Sequence, residues 1–369
     1  MKRYLENQVR QDLRKKMVFI GGPRQVGKTT MAKSILANQA GYLNWDIDED
    51  REKILRRQLP ATSMIVFDEL HKYKRWRNYL KGLFDKSGKS IQFLVTGSAR
   101  LDYYRYGGDS LQGRYHYLRL HPLSFAELGT YSQDSLMELL QLGGFPEPFY
   151  SGSEVEAKRW SKEYRARFVK EEITSLEKIH DLGTLELFVL RLPDLVGSPL
   201  SINSLREDLQ TSHKTVSRWL DIMERLYGIY RISPFGSPKI RAVKKEQKHY
   251  HFDWSLIPNQ GSRFENFVAS HLLKWVHFEE DAKGRNLELR YFRDIDGREV
   301  DFVIMEDQKP IQMIECKWSD TEINHGLVYL KTRFPNVEAW QISAAGKKDY
   351  ISKDNIRICP AAVFLKNLV

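Results

Sequence analysis

This sequence has few cysteines and no long apolar run. Its 369 residues include only Cys316 and Cys359, which are too few for a disulfide framework and give no zinc-ligand spacing. No segment approaches the roughly 20 apolar residues that span a bilayer, and the charged first residues lack the apolar core of a signal peptide. We therefore expect a cytoplasmic protein without a membrane partner.

The charge of the chain is shifted to the basic side. Lys and Arg number 58 and Asp and Glu number 48, so the formal net charge is +10. This excess favours a polyanionic partner, with nucleic acid first and an anionic membrane surface second. A basic surface without a partner would have the same composition. The hydrophobic content of 41% is that of an ordinary globular protein.

The most specific motif lies between an expected strand, MVFIG, and an expected helix that begins at Lys28. Residues 22–29 read GPRQVGKT and fit the pattern G-x-x-x-x-G-K-[ST] in full. Glycine lets the backbone curl, so that its N–H groups and the start of the helix can surround phosphates. In this pattern Lys28 reaches the β- and γ-phosphates and Thr29 coordinates Mg²⁺. The predicted nucleotide-binding residues are Gly22, Pro23, Arg24, Gln25, Val26, Gly27, Lys28, Thr29 and Thr30.

Two further apolar segments end in polar residues that suit a nucleotide site. SMIVFDEL ends with Asp68, which we expect to hold Mg²⁺ through water, and Glu69, which we expect to polarise the attacking water. IQFLVTGSA carries Thr96 and Ser98, and either of them could sense the γ-phosphate. Alternation of strands and helices predicts a parallel sheet with helices on both faces. Its remaining two strands are expected at 42–49 and 114–123.

These segments resemble those of AAA+ P-loop ATPases, in particular a large prokaryotic family that joins an AAA+ core to a C-terminal restriction-endonuclease-like domain. The resemblance is carried by GPRQVGKTT, IVFDEL, LVTGSA, LQGRYHYLRLHPLSFAEL and GGFPEP. It implies ATP and Mg²⁺ as cofactors and a homo-oligomeric ring, with a hexamer favoured. It also implies an arginine that acts in trans, for which Arg114 is the first candidate and Arg100 the second. A surface arginine paired with an acid is the alternative for each.

The predicted fold class is α/β, with four segments along the chain. We expect an AAA+ P-loop core at 1–130, a helical lid or linker at 131–182, a winged helix-turn-helix at 183–248 and a restriction-endonuclease-like α/β domain at 249–369.

The third segment has the pattern of a helix-turn-helix followed by a hairpin. Ser201 can cap a first helix, and Thr211 or Ser212 a second one, whose apolar positions leave a basic face exposed. The alternative is a winged helix that contacts only protein. The predicted DNA-binding residues are His213, Lys214 and Arg218 on the helix and Lys239, Arg241, Lys244 and Lys245 on the hairpin.

The fourth segment carries acids at positions typical of a metal site. Asp301 is expected on one strand, and Glu315 and Lys317 on one face of the next, with Glu265 on the preceding helix. The set resembles the D…E-x-K site of restriction-type nucleases, in which Glu265, Asp301 and Glu315 would hold metal and Lys317 would position water. A non-catalytic copy of that fold is the alternative.

These expectations allow three functions. The preferred one is an ATPase that remodels or translocates on DNA, with junctions and forks as candidate branched substrates. The second is an ATP-regulated, metal-dependent nuclease in repair or defence. The third is a nucleotide switch that binds a protein partner.

Overall fold

The computed structural model describes residues 1–88, 90–97, 111–174, 181–236 and 247–369. Two compact units are present, one of residues 1–122 with 281–283 and one of residues 123–280 with 284–369. Some candidates named above lie outside the described residues: Ser98, Arg100, Lys239, Arg241, Lys244 and Lys245.

The first unit contains a five-stranded sheet in which every pairing is parallel. Its strand order is β2-β3-β4-β1-β5. The strands are β1 (Met17–Gly21), β2 (Tyr42–Asn44), β3 (Met64–Asp68), β4 (Gln92–Thr96) and β5 (Tyr115–Arg119). The helices are α1 (Glu6–Asp12), α2 (Lys28–Ile35), α3 (Asp48–Arg56) and α4 (Trp76–Ser87).

The central strands explain why this sheet forms. All five residues of β1 and of β3 are buried, as expected for parallel strands that are covered on both faces. The expected strand at 42–49 is wrong in its second half, because β2 ends at Asn44 and α3 begins at Asp48. Asp48, Glu49 and Asp50 form the first turn of α3, where negative charge stabilises a helix N-terminus.

The second unit is richer in helices. Its helices before residue 230 are α5 (Phe125–Leu128), α6 (Gln133–Leu142), α7 (Pro146–Ser151), α8 (Glu154–Arg167), α9 (Leu182–Arg191), α10 (Ile202–Asp208) and α11 (His213–Arg225). The later helices are α12 (Gln260–Lys283), α13 (His325–Arg333) and α14 (Ala361–Leu365). In the described residues no helix is both apolar and long enough to cross a membrane.

An eight-stranded sheet runs through the second unit in the order β12-β13-β11-β10-β9-β8-β6-β7. Its strands are β6 (Ile229–Pro234), β7 (Lys248–His251), β8 (Leu287–Arg293), β9 (Glu299–Glu306), β10 (Lys309–Lys317), β11 (Glu338–Ser343), β12 (Tyr350–Ile351) and β13 (Arg357–Pro360). The hairpin β6–β7 joins the other strands because β6 pairs with β8 in parallel. The expected border after residue 248 falls within β7, and the division into four domains stays a prediction. Pairing between strands far apart in sequence leaves no local signal.

Residues 123–128, LSFAEL, carried part of the family resemblance and lie in the second unit. The side chain of Ser124 and the side chain of Glu127 cap the start of α5 reciprocally. Glu127 forms an ion pair with Lys274 of α12, and Lys274 also donates to the Ser124 hydroxyl over 2.8 Å. The backbone N–H of Phe125 donates to His271 Nε2 over 2.9 Å. The motif therefore attaches α5 to α12.

The buried imidazole of His271 should make the stability of the protein depend on pH. Its Nδ1 lies 2.7 Å from the Phe267 carbonyl oxygen, so both ring nitrogens are engaged only in the neutral tautomer that donates from Nδ1. Burial lowers the pKa of His271 to about 3. Above its unfolded-state pKa of about 6.5 the ring is neutral in both states. Below that value the unfolded chain binds a proton that the folded chain does not. The contribution of His271 to stability therefore decreases as the pH is lowered.

We expect His271→Gln to be less stable than the wild type at neutral pH. The difference in the free energy of unfolding between the wild type and His271→Gln should narrow as the pH is lowered. The change should be up to about 1.4 kcal/mol per pH unit between about pH 6 and pH 4. Urea unfolding at several pH values measures it, with His325→Gln, at an exposed histidine, as the control. A difference that does not change with pH would contradict the assignment of a neutral buried ring.

Candidate functional site

The phosphate loop connects β1 to α2 in the first unit. Gly22 has φ +132° and Gly27 has φ +95°, values in the region that favours glycine. A Cβ at Gly22 would overlap the carbonyl oxygen of Leu120. The loop therefore curls tightly before the first turn of α2, and the backbone N–H groups of this turn have no partner within the helix. Arg24, Gln25 and Thr30 are exposed, whereas Pro23 and Val26 are buried.

Lys28 lies within this loop and is only 8% exposed. Its Nζ donates to the carbonyl oxygens of Gly22, over 3.0 Å, and Pro23, over 2.5 Å. An ammonium group beside a helix N-terminus supplies the positive charge that suits phosphate oxygens.

Asp68, at the end of β3, accepts hydrogen bonds from three hydroxyl groups. Its Oδ2 accepts from Thr29 Oγ1 and from the Tyr42 hydroxyl, each over 2.7 Å, and its Oδ1 accepts from Thr96 Oγ1 over 2.7 Å. Thr96 lies beside Asp68 because β3 and β4 pair in register. The structure thus brings together three predicted residues, Thr29, Asp68 and Thr96.

Tyr42 was not predicted as a site residue. Burial and then the Asp68 carboxylate raise the pKa of its hydroxyl, which therefore stays a proton donor to Asp68. Its only sequence signal is its position at the start of β2, the strand that pairs with β3. The adjacent Thr29 hydroxyl and Asp68 carboxylate are oxygen ligands of the kind that Mg²⁺ prefers, so these residues fit that ion.

Glu69 follows Asp68 with φ +57°, and its N–H donates to the Thr96 carbonyl oxygen over 3.0 Å. Lys72 lies 3.2 Å from its carboxylate and also binds Asp46 over 2.5 Å. Although burial opposes it, Asp46 and then Glu69 raise the pKa of Lys72. The Glu69 carboxylate therefore lies in contact with a charged lysine.

Arg3 supports the phosphate loop and was also missed by sequence reasoning. It donates to the carbonyl oxygens of Val26, over 2.8 Å, and His121, over 2.5 Å. Only 7% of Arg3 is exposed. The partners lie 23 and 118 residues away in sequence, so no local pattern could have indicated this contact.

Arg114, the first candidate for an arginine acting in trans, is paired within its own chain. Its Nε and Nη2 donate to the two carboxylate oxygens of Asp85 over 2.8 and 3.2 Å. This is the surface ion pair that the alternative interpretation expected.

In the second unit, α10 and α11 begin at the predicted caps, Ser201 and Ser212. One face of α11 packs inside, with Val216, Leu220 and Met223 buried. His213, Lys214 and Arg218 are exposed. The exposed face of α11 therefore carries the three basic candidates that lie within the described residues.

The acidic cluster comprises Glu265 on α12, Glu299 and Asp301 on β9, and Glu315 on β10. The predicted elements are correct for Glu265, Asp301, Glu315 and Lys317. Lys317 Nζ donates to Glu315 Oε1 over 2.8 Å, and Glu315 Oε2 accepts from the Asp301 N–H over 3.3 Å.

Two groups in or beside this cluster were not predicted. Lys248 of β7 lies 3.2 Å from Glu265 Oε1 and 2.5 Å from Glu299 Oε1. Tyr250 of the same strand donates to Glu265 Oε1 over 2.7 Å. Sequence reasoning placed the basic run 239–252 on a hairpin and gave Lys248 no role of its own.

The electrostatics of the cluster reflect burial and mutual repulsion. Burial and then the Asp301 charge raise the pKa of Glu265 to about 7 and that of Glu315 to about 8. For Lys248, burial opposes the charged form, but Glu265, Asp301 and Glu299 raise its pKa above the ordinary value. The cluster thus stabilises a buried lysine in its charged form.

The acidic cluster already contains a buried ammonium group, that of Lys248, in contact with Glu265 and Glu299. In the described part of the chain, no group of three or more His, Cys, Asp or Glu side chains is placed to hold a metal ion. Oxygens of Glu265, Asp301 and Glu315 already accept hydrogen bonds from protein donors. That these three residues hold a metal ion stays a prediction.

Comparison with known proteins agrees with the site in the first unit. Residues 14–129 match the family model of an AAA domain. Residues 133–263 and 260–364 match two domains of unknown function, DUF8612 and DUF4143.

Similar full-length proteins do not reveal a function. An uncharacterised protein of Mycobacterium tuberculosis is 23% identical over 322 residues, which cover 80% of this chain and 71% of that protein. An uncharacterised protein of Haemophilus influenzae is 22% identical over 363 residues, which cover 86% of this chain and 87% of that protein.

Similar solved structures include a Walker-type ATPase of Pyrococcus abyssi, with a TM-score of 0.43 and 11% identity over 70% of this chain and 94% of that one. The Aeropyrum pernix ORC1 protein in complex with DNA gives a TM-score of 0.33 and 14% identity over 73% of this chain and 94% of that one. These TM-scores are too low to establish a common fold.

The loop, its lysine and the acidic strand define a P-loop ATPase site. The family match over residues 14–129 assigns this ATPase domain to the AAA type.

Proposed function

We propose that this protein hydrolyses ATP with Mg²⁺ and uses the turnover to remodel DNA or to move along it. The observation that carries the proposal is the meeting of Thr29, Asp68 and Thr96 beside a lysine-bearing phosphate loop. Bound Mg²⁺ would offset the phosphate charge. Lys28 would bind the β- and γ-phosphates, and Thr29 and Asp68 would hold the ion. Glu69 would orient the attacking water, and Thr96 would contact the γ-phosphate through its hydroxyl.

Support for DNA as the partner comes from charge. The chain carries a formal charge of +10. A short connection joins α10 to α11, and His213, Lys214 and Arg218 are exposed on α11, the second of these two helices. Phosphate contacts of this kind supply affinity without reading sequence. We infer that α10, α11 and the hairpin β6–β7 form a winged helix, and that branched DNA is the preferred substrate.

Charge reversal on α11 tests this interface. Lys214→Glu combined with Arg218→Glu should weaken duplex binding by roughly 10-fold or more and reduce the slope of log affinity against log salt by about 2. Fluorescence anisotropy at several salt concentrations measures both quantities. Lys158→Glu with Arg159→Glu, on the exposed surface of α8, makes the same change in charge elsewhere. Equal losses in the two double variants would remove α11 from the DNA interface.

The assembly of the active form is part of the proposal. A homo-oligomeric ring, with a hexamer favoured, would bring an arginine of one subunit to the phosphates of the next. Arg114 would first have to leave Asp85. ATP turnover per subunit should then rise with protein concentration, and a rate that stays constant down to nanomolar protein would argue for a working monomer.

One assay separates the candidate functions. ATP hydrolysis is measured with no DNA and with linear, forked and four-way DNA, and the DNA products are then resolved on gels. Stimulation by DNA without cleavage, strongest with a branched substrate, is expected for a remodelling ATPase. Cleavage would favour the nuclease alternative, and turnover indifferent to every DNA would favour a switch that binds protein.

A further inference from the structure

We propose that Lys248 is the resident cation of the acidic cluster and takes the place that a divalent metal would occupy there. The cluster is then a closed ionic network that joins β7 to α12 and β9. This inference goes beyond the proposed ATPase function and does not depend on it.

The position of the ammonium group is the first support. The side chain of Lys248 is only 1% exposed, and its Nζ lies 3.2 Å from Glu265 and 2.5 Å from Glu299. The same atom lies 5.3 Å from the centre of the Tyr291 ring, a favourable distance for a cation. An ammonium group this deeply buried needs several anionic partners, because burial of an unpaired charge is very costly.

The occupancy of the carboxylate oxygens is the second support. Glu315 Oε1 accepts from Lys317 and from the Asn324 side chain, the latter over 2.7 Å. Asp301 Oδ2 accepts from the Cys316 N–H over 2.8 Å. Glu265 Oε1 accepts from Lys248 and from Tyr250. Protein donors thus engage oxygens that a metal ion would need as ligands.

The chemistry of the two cations explains why they exclude each other. A divalent ion in the same place would have to share the anionic field with the Lys248 ammonium group a few ångströms away, and like charges at such distances repel strongly in a buried site. A metal could enter only if the ammonium group left. Lys248 lies on β7, Glu265 on α12 and Glu299 on β9, so the contacts of Lys248 form only in the folded chain.

The test uses the full-length chain with Asp68→Asn in every sample, so that the ATPase site does not contribute metal binding. Without further change, millimolar Mn²⁺ should leave the melting temperature unchanged. Adding Lys248→Ala should lower the melting temperature, and Mn²⁺ should then recover at least about 2 °C, because the ammonium group that repels the ion is gone. Adding Glu315→Gln to Lys248→Ala should abolish the recovery. Lys309→Ala, at an exposed lysine of β10, is the matched control.

A second measurement does not require Lys248→Ala to fold. Mn²⁺ is titrated into the chain that retains Lys248, and free ion is followed by electron paramagnetic resonance. No binding supports Lys248 as the resident cation. Stoichiometric binding that Glu315→Gln abolishes would overturn it, whatever the ATPase activity proves to be.

Discussion

Replacing Lys28 with methionine lowers ATP turnover by roughly 100-fold or more, because it removes the ammonium group that the phosphate loop holds beside the start of α2. Lys28 is almost fully buried there and is held by carbonyl oxygens of Gly22 and Pro23. Methionine keeps the length of the side chain and removes the charge. Steady-state phosphate release measures the effect.

Two further variants give this prediction its controls. Lys15→Met makes the same substitution at an exposed lysine after α1 and should leave turnover unchanged. Glu69→Gln should lower turnover by a similar factor while ATP binding persists, because Glu69 contacts water rather than the phosphates in the proposed mechanism. If Lys28→Met retains wild-type turnover, the phosphate-loop assignment is wrong.

Replacing Lys274 with methionine destabilises the second unit by about 3–5 kcal/mol, because it leaves the buried carboxylate of Glu127 without its charged partner. Glu127 and Lys274 side chains are 4% and 1% exposed, so solvent offers little compensation. The Ser124 hydroxyl also loses its donor. Urea unfolding of the full chain measures the change in the transition of this unit.

A second substitution separates charge burial from lost packing. Glu127→Gln combined with Lys274→Met should be more stable than Lys274→Met alone, because the amide oxygen can still accept from the Ser124 N–H and no unpaired charge remains. Lys158→Met breaks an exposed pair with Glu154 and should change stability by less than about 1 kcal/mol. A double variant as unstable as the single one would show that packing, not charge, dominates.

Sequence reasoning worked best where function depends on neighbouring residues. Gly22, Gly27, Lys28 and Thr29 lie within one loop, so their spacing alone predicts the phosphate site. The placement of Asp68 and Thr96 was also predictable, because the carboxyl ends of parallel strands meet at one edge of the sheet. The packing of Val216, Leu220 and Met223 followed from helical periodicity.

Sequence reasoning failed where a contact joins distant parts of the chain. Arg3 reaches the phosphate loop from the N-terminus, and the pairing of β6 with β8 places the hairpin in the larger sheet. The acids at 265, 301 and 315 were placed on their correct elements. The contacts of Lys248 with Glu265 and Glu299 were not predicted, since they join residues that are far apart in sequence.

The amino-acid sequence by itself determined the phosphate loop, the acidic end of β3 and the helical periodicity of α11, because each depends on residues within one turn or one strand. The tertiary structure alone decided that Tyr42 donates to Asp68, that Arg114 pairs with Asp85 and that Lys248 lies among the acids. Burial and distance set the energy of a charge, and both are properties of the folded chain.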